Sequence, residues 1–252
     1  SSYMSLLRYD YDTSYGNYVD ANGVWSPSLS PISNANPDLR WEKSTEYNVG
    51  LDLGFFGNRL YANIDLYNKV TSDMLWEYSV PVPPNLYGYT TANVGSMSNQ
   101  GIEVLIGGTP VQTKNFEWNS TLTLAHNRNK LINMSNDLYE TENYLDGGWT
   151  EEPTSMVTQR TYIGDAIGSF YMLKAVGVVQ SGPQKGLWLI EDPETGEAVP
   201  FDSGMRNYDS RFRQYCGSAL PKLTMGWSNT LRFYGVDVTM SFSGQFGYKI
   251  FN

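Results

Sequence analysis

Histidine and cysteine are almost absent from this chain of 252 residues, which holds one of each, His126 and Cys216. A single cysteine excludes an internal disulfide bond. A thiol or an imidazole also needs partners before it can act as a nucleophile or bind a metal ion, and neither residue has a candidate partner nearby in the sequence. We therefore expect an inert thiol, a packed or interfacial histidine, no catalytic or metal-binding residue, and no enzymatic activity.

Basic residues are also scarce. The chain has 17 Lys and Arg against 26 Asp and Glu, a net charge of -9 and a pI near 4.6. Nucleic-acid binding depends on clustered basic residues, so we exclude a nucleic acid as a partner. No run of about 18 apolar residues is present, so the sequence encodes no transmembrane helix.

Apolar residues recur instead at every second position. From Val236 to Tyr248 the even-numbered side chains are mostly apolar and the odd-numbered ones mostly polar, which is the period of a β-strand with one apolar face. The same alternation predicts about six strands, near residues 44–54, 59–71, 99–107, 116–129, 223–233 and 236–248. Such a face meets a second sheet in a soluble sandwich and lipid in a membrane barrel.

The lengths of the connections favour the membrane barrel. Tight turns near 55–58, 109–115 and 234–235 alternate with longer connections at 72–98 and 131–220. In a meander the short turns then share one end, as the periplasmic turns of outer-membrane barrels do. We predict an all-β fold: an antiparallel transmembrane β-barrel segment with long extracellular loops, about six strands of a larger barrel. The expected division is 1–42 outer loop, 43–129 four strands, 130–220 large extracellular loop and 221–252 two strands.

Aromatic residues lie near the predicted strand ends, as expected for the girdles where a barrel meets the two membrane interfaces. They are Phe55, Phe56, Phe116, Trp118, Phe233, Tyr234 and Tyr248. Polar and charged residues lie opposite the apolar stripes, where a wide barrel encloses a wet or plugged lumen. They are Glu46, Asp52, Asp65, Lys69, Glu103, Glu117, Arg232 and Asp237.

An ordered set of short motifs resembles the C-terminal barrel part of SusC/RagA-type TonB-dependent outer-membrane transporters. Together the motifs cover most of residues 36–250. The first are Asn36 to Glu46, Gly50-Leu51-Asp52, Gly54 to Leu60 and Asp65-Leu66-Tyr67. The others are Asn93-Val94-Gly95, Asn99 to Glu103, Ile167 to Tyr171, Pro221-Lys222 and Phe242 to Gly247.

The resemblance implies a barrel of about 22 strands in the bacterial outer membrane, in contact with its lipid. It implies energised import of glycans or peptides, with a SusD-like lipoprotein over the outer mouth and TonB acting through an N-terminal region. The plug, the TonB-contacting segment and the final strands of the family are expected to be absent from this chain. The chain would supply barrel wall, lumen lining and outer loops.

Aromatic side chains in the predicted outer loops are the candidates for contact with a ligand or with the lipoprotein, because flat apolar rings stack on other flat groups. They equally suit packing between loops. The candidates are Trp25, Trp76, Tyr87, Tyr89, Tyr144, Trp149 and Trp188.

An acidic cluster within 191–197 offers oxygen ligands for a loop calcium ion. It is formed by Glu191, Asp192, Glu194 and Glu197, without the tight alternation of a calcium-binding loop. We expect a solvated hairpin tip there and no cofactor.

Two other functions stay open at this point. A secreted β-sandwich carbohydrate-binding module would use the same aromatic residues. An outer-membrane barrel enzyme would need a nucleophile–histidine pair or a metal-binding set, and the sequence shows neither.

Overall fold

The computed structural model describes residues 5–140, 143–151, 156–201 and 210–251, with the backbone alone at 12–16. Within these ranges the regular structure is β, apart from a 3₁₀ turn at Ser210–Phe212. No helix in the described ranges is long and apolar enough to cross a membrane.

The strands are numbered in chain order. The first six are β1 (Arg8–Val19), β2 (Trp25–Ser33), β3 (Lys43–Phe55), β4 (Leu60–Ser79), β5 (Tyr89–Gln112) and β6 (Phe116–Asn133). Then come β7 (Tyr144–Trp149), β8 (Val157–Tyr162), β9 (Ser169–Leu173), β10 (Ala175–Val178), β11 (Trp188–Glu191) and β12 (Ala198–Pro200). The last are β13 (Arg213–Ser218), β14 (Leu223–Phe233) and β15 (Val236–Phe246).

One six-stranded sheet contains all of the strands predicted from the alternation. Its order is β15-β14-β6-β5-β4-β3, so strands that follow one another along the chain are neighbours, and β14 pairs with β6 after the long intervening segment. The turns β3–β4, β5–β6 and β14–β15 are short. The predicted antiparallel meander is confirmed.

The register keeps an apolar stripe continuous across β6, β14 and β15. Trp227 of β14 lies opposite both Leu122 of β6 and Phe242 of β15. The stripe is not a core, because Phe242 is 53% exposed and Val49 of β3 is 70% exposed. An exposed apolar stripe of this extent is the surface that lipid covers in a membrane barrel.

The chain divides into two compact units. One comprises Ser1–Thr45, Lys69–Ser98 and Ile132–Asn143, and the other comprises Glu46–Asn68, Asn99–Leu131 and Tyr144–Asn252. In the first, Tyr78 is fully buried and its hydroxyl donates to the carbonyl oxygen of Met134 at 2.8 Å. In the second, Leu131, Phe170 and Ile190 are among the buried side chains.

The region expected to be irregular surface loop at the start of the chain contains the antiparallel hairpin β1–β2. That expectation was wrong because Pro27 and Pro31 made β2 read as loop. Proline lacks the N–H of a ladder donor and is confined to edge strands and bulges. Both strands of a two-stranded sheet are edges, so the hairpin accommodates them.

The connection expected at 72–98 is mostly strand as well. β4 continues to Ser79 and β5 begins at Tyr89, which leaves residues 80–88 between them. The alternation of apolar and polar residues is interrupted near Asp73, in the middle of β4. Asp73 has a φ of 56°, which lies in the left-handed region. At 20 and 24 residues, the two strands are longer than the roughly 9–11 residues that a tilted strand needs to cross a bilayer.

The long segment between β6 and β14 folds into two small sheets. Their orders are β13-β9-β8-β7 and β10-β11-β12. The segment expected to be one large extracellular loop thus contains seven short strands among its described residues. Gly147 and Gly148 lie inside β7.

Candidate functional site

The apolar face of the six-stranded sheet carries two tryptophans, and the indole N–H group of each donates a hydrogen bond to a side chain of the neighbouring strand. Ser120 of β6 and Asn229 of β14 lie directly opposite each other. Trp118 donates from Nε1 to Asn229 Oδ1 at 3.0 Å, and Trp227 donates from Nε1 to Ser120 Oγ at 3.0 Å. Polar groups facing hydrocarbon must find their partners within the protein. The two crossing bonds meet that requirement, and Asn229 is only 4% exposed.

The other face of the sheet is polar and tyrosine-rich. A Cβ atom on Gly101 of β5 would lie 2.6 Å from the hydroxyl of Tyr67, and one on Gly107 would contact the ring of Tyr61. Glycine is needed at both positions because a ring from β4 covers the backbone there. Together with the acidic residues predicted on this side, the rings give the face the polar character of a lumen wall.

The side chain of Asn93 joins two segments in the first compact unit. Its Nδ2 donates to the carbonyl oxygens of Arg40 at 2.8 Å and of Asp73 at 2.7 Å, and its Oδ1 accepts from the Arg40 N–H at 2.8 Å. The Asp73 carboxylate also pairs with Arg40 at 2.9 Å and with Lys43 at 3.2 Å. Hydrogen bonds from Arg40 first and Lys43 second lower the pKa of Asp73. Hydrogen bonds therefore join two of the motifs, Asn36 to Glu46 and Asn93-Val94-Gly95, and we call Arg40, Lys43, Asp73 and Asn93 the Asn93 node.

A polar aromatic surface lies on the small sheet formed by β7, β8, β9 and β13. Tyr144 lies opposite Tyr162, and Asp146 lies opposite Arg160. The Arg160 guanidinium stacks on the Tyr144 ring at 3.7 Å from its centroid. Tyr215 extends the array, with ring centroids 6.4 Å from Tyr162 and 5.4 Å from Tyr171. We call Tyr144, Asp146, Arg160, Tyr162, Tyr171 and Tyr215 the tyrosine-arginine face.

Hydrogen bonds fix the charged groups of this face. Arg160 donates from both Nε and a terminal nitrogen to Asp146, at 2.7 and 2.8 Å, and this bond raises the pKa of the guanidinium. Tyr215 donates from its hydroxyl to Asp165 Oδ2 at 3.1 Å. Burial, and secondly this carboxylate, raise the pKa of Tyr215 to about 12. The face therefore presents four phenol rings around the Asp146–Arg160 ion pair, and the Arg213 guanidinium lies 5.3 Å from the centroid of the Tyr171 ring.

The seven predicted aromatics all lie in the described residues, and six of them belong to β-strands within the predicted outer segments. Only Tyr87 is outside a strand; Trp76 is within β4, and the other five are the first or last residue of a strand. The structure brings Tyr87 and Tyr89 together at 6.1 Å between ring centroids, and it places Tyr144 in the tyrosine-arginine face. Strongly exposed members are Trp25 at 71%, Trp149 at 72% and Trp188 at 58%. Ligand contact by these residues stays a prediction.

The sequence interpretation missed Arg160, Tyr162, Tyr171 and Tyr215. A usable signal exists, because Tyr144 and Asp146, and likewise Arg160 and Tyr162, are two residues apart and so share one face of a strand. That signal was overlooked because the whole segment was taken as a loop.

The single histidine and cysteine are not members of this face. His126 is exposed at the apolar side of β6, and its Nδ1 hydrogen-bonds with the carbonyl oxygen of Lys222. Burial raises the pKa of the Cys216 thiol, so the thiolate that would react is disfavoured.

The acidic cluster forms the tip of the β11–β12 hairpin. Asp192 accepts the Glu194 N–H at 2.9 Å and pairs with Arg211 at 3.0 Å. Among the described residues, no three acidic, histidine or cysteine side chains are grouped to hold a metal ion. A calcium ion at this tip stays a hypothesis.

Comparison with known proteins gives the family. The model of the β-barrel of TonB dependent receptor-like proteins matches residues 5–185. The chain belongs to the TonB-dependent receptor family. The predicted membrane-barrel fold and the resemblance are thereby confirmed, and membership in a barrel family displaces the β-sandwich alternative.

Relatives of this TonB-dependent receptor chain are much longer than it is. TonB-dependent receptor P26 of Formosa agariphila is 29% identical over 92% of the chain and 23% of its own length. TonB-dependent receptor SusC of Bacteroides thetaiotaomicron is 31% identical over 68% of the chain and 17% of its own length. The chain thus spans less than a quarter of these curated relatives.

A solved structure of the RagAB peptide transporter superposes with a TM-score of 0.69 at 26% identity, over 96% of this chain and 24% of the other. TonB-dependent receptors are outer-membrane proteins, so the six-stranded sheet is a wall segment of an outer-membrane barrel.

Proposed function

We propose that the TonB-dependent receptor containing this chain imports oligomeric nutrients, glycans or peptides, across the outer membrane together with a SusD-like surface lipoprotein. The fold similarity to the RagAB peptide transporter over 96% of the chain carries this proposal. The sequence similarity to SusC supports the same subfamily. In this proposal TonB acts through a part of the receptor outside this chain.

The chain's own contribution is wall, lumen lining and outer surface. With the short turns at the periplasmic end, the segment 130–220 is an extracellular loop. The tyrosine-arginine face belongs to that segment, and Tyr215 on it is 44% exposed. Clustered phenol rings suit stacking on a sugar ring or a peptide group. We infer that this face contacts the ligand or the lipoprotein.

Uptake in a strain that lacks the receptor gene tests the proposal. Wild-type receptor on a plasmid should restore uptake of a fluorescent oligosaccharide pool or of a fluorescent peptide pool, and the pool that is taken up identifies the substrate class. Deletion of tonB should abolish the restored uptake. Uptake that persists without TonB, or restoration of neither pool, would contradict the proposal.

Variants of the tyrosine-arginine face test the role of the chain. Tyr215→Ala removes an exposed ring and should lower uptake of the active pool, because the stacking surface is lost. Tyr47→Ala, an exposed ring on the apolar side of β3, serves as the control. Equal uptake by Tyr215→Ala and wild type would exclude Tyr215 from ligand contact.

A further inference from the structure

The apolar face of the six-stranded sheet is not uniformly covered by side chains. A groove of about 560 Å³ opens on it at the end where the short turns lie. Leu60, Ile106, Gly108, Leu122, Trp227 and Arg59 line it, among others, and we call it the turn-side groove. These residues come from interior strands β4, β5, β6 and β14 and from the β3–β4 turn, so the groove does not depend on a sheet edge.

Gly108 forms part of the floor of this groove. It occupies the position on the apolar stripe that follows Ile106 on β5, where the neighbouring stripe positions carry large side chains. A Cβ on Gly108 would lie 3.2 Å from the Leu60 Cα and would contact the backbone oxygen of Arg59. Close approach of β4 therefore requires glycine there, and the missing side chain leaves a floor of bare backbone.

Arg59 supplies a positive charge at the mouth of this apolar groove. Its guanidinium donates to the carbonyl oxygen of Thr109 at 3.4 Å, a long bond that uses few of its five N–H donors. None of the ion pairs recorded among the described residues includes Arg59. Guanidinium N–H groups of Arg59 that have no partner in the part of the chain that the structure describes lie beside the apolar turn-side groove. This arrangement suits a ligand in which a phosphate is joined to a hydrocarbon chain.

Aromatic residues show that this end of the sheet lies at a membrane interface. The rings of Phe116 and Phe233 pack at 6.4 Å, and those of Phe233 and Tyr234 pack at 4.5 Å, all beside the short turns. Aromatic girdles lie at headgroup level, and short turns face the periplasm. The mouth of the groove is therefore at the level where the phosphates of inner-leaflet glycerophospholipids lie.

We propose that the turn-side groove is a binding site for one glycerophospholipid of the inner leaflet. An acyl chain lies along the groove between Leu60, Ile106 and Trp227, and the lipid phosphate accepts hydrogen bonds from Arg59. The volume falls within the roughly 300–1,000 Å³ of ordinary small-molecule sites. The site depends on the outer-membrane location of the barrel and is independent of which nutrient is imported.

Native mass spectrometry of the full-length receptor tests the site. Purified receptor in detergent is titrated with dipalmitoyl phosphatidylglycerol, and the lipid-bound fraction is measured as the protein is released from the micelle. Arg59→Gln should weaken binding by about tenfold or more, because a charge-assisted contact is lost. Ile106→Trp should weaken it by filling the groove. Dipalmitoylglycerol, which lacks the phosphate, should bind wild type as weakly as phosphatidylglycerol binds Arg59→Gln.

Two matched control variants separate an effect on the groove from a general effect of lost charge or added bulk. Lys114→Gln removes a charge from a neighbouring short turn, and Ile102→Trp adds the same bulk on the same face of β5, four residues away from the groove. Both controls should bind like wild type. Heat-dependent gel mobility identifies folded barrels, and Arg59→Gln decides the question alone if Ile106→Trp does not fold. Wild-type binding by Arg59→Gln, or equal binding of the phosphate-free lipid, would overturn the proposal.

Discussion

At the residue scale, polar side chains join distant segments of this chain, and the alternation of apolar residues does not predict these contacts. Asn93 makes three hydrogen bonds between the motif that contains Arg40 and the strand that contains Asp73. The motif residues could be recognised from the sequence, but their roles could not. A hydrogen bond between residues 53 positions apart has no local signal in the chain.

The contribution of Asp73 to the Asn93 node can be tested by changing the pH. Asp73→Asn keeps a residue that tolerates the left-handed backbone and removes the charge that Arg40 and Lys43 contact. Because the folded pKa of Asp73 lies below its usual value, its contribution is present above about pH 4 and is lost as pH falls through the folded pKa. We expect faster hydrogen exchange at the Arg40 amide in the variant at pH 7. At pH 3 the difference should shrink, and an undiminished difference would contradict the charge-based account.

The crossed tryptophan bonds of the apolar stripe offer a second test. Trp118→Phe leaves the buried Asn229 oxygen without its donor, so it should destabilise the folded barrel. In the double variant with Asn229→Leu the unpaired oxygen is gone. A double-mutant cycle by urea unfolding in detergent should give a coupling energy of about 0.5–1.5 kcal/mol.

Ser228→Ala on the opposite face is the control for that cycle, since the Ser228 hydroxyl hydrogen-bonds with Ser241 on the polar face. Its combination with Trp118→Phe should be additive. A coupling energy of zero between Trp118 and Asn229 would show that their hydrogen bond adds nothing to the stability of the barrel in detergent.

At the element scale, the strands of the membrane sheet could be predicted and the outer strands could not. The strands β3, β14 and β15 begin and end within a few residues of the expected bounds, since lipid on one side and polar surroundings on the other impose a strict period of two. The hairpin β1–β2 and the small sheets of β7–β13 have no lipid face. Their side chains alternate weakly, and glycine and proline within them read as turns.

The two faces of β6 and β3 predict opposite responses to charge. Leu122→Lys and Leu51→Lys place a cation in lipid and should cost about 2–4 kcal/mol near the midplane. Thr123→Lys and Asn48→Lys lie one and three residues away, on the polar face, and should be mild. The measurement is the free energy of unfolding in lipid vesicles, and equal costs on both faces would refute the register.

At the scale of the whole molecule, the geometry and the family assignment lead to the same conclusion, namely that one face of the six-stranded sheet meets lipid and the other meets water. The stripe alone was ambiguous between a sandwich and a barrel. The order of short and long connections pointed to the barrel, and the match to TonB-dependent receptors decided it. The sequence signal for the tyrosine-arginine face covers only pairs of residues on single strands, because the complete face depends on pairing between β7, β8, β9 and β13.

Tryptophan fluorescence can map this division in the assembled receptor. Trp118 and Trp227 lie on the apolar stripe, whereas Trp149 and Trp188 lie in the segment assigned to the outer surface. In vesicles made with brominated phospholipid, a quencher confined to the hydrocarbon, Trp118→Phe and Trp227→Phe should each remove a quenched component of the emission. Trp149→Phe and Trp188→Phe should remove only unquenched emission, which remains sensitive to iodide in the buffer. If bromine quenches Trp149 or Trp188 as strongly as Trp227, the outer segment is in contact with lipid, and the extracellular placement of the tyrosine-arginine face fails with it.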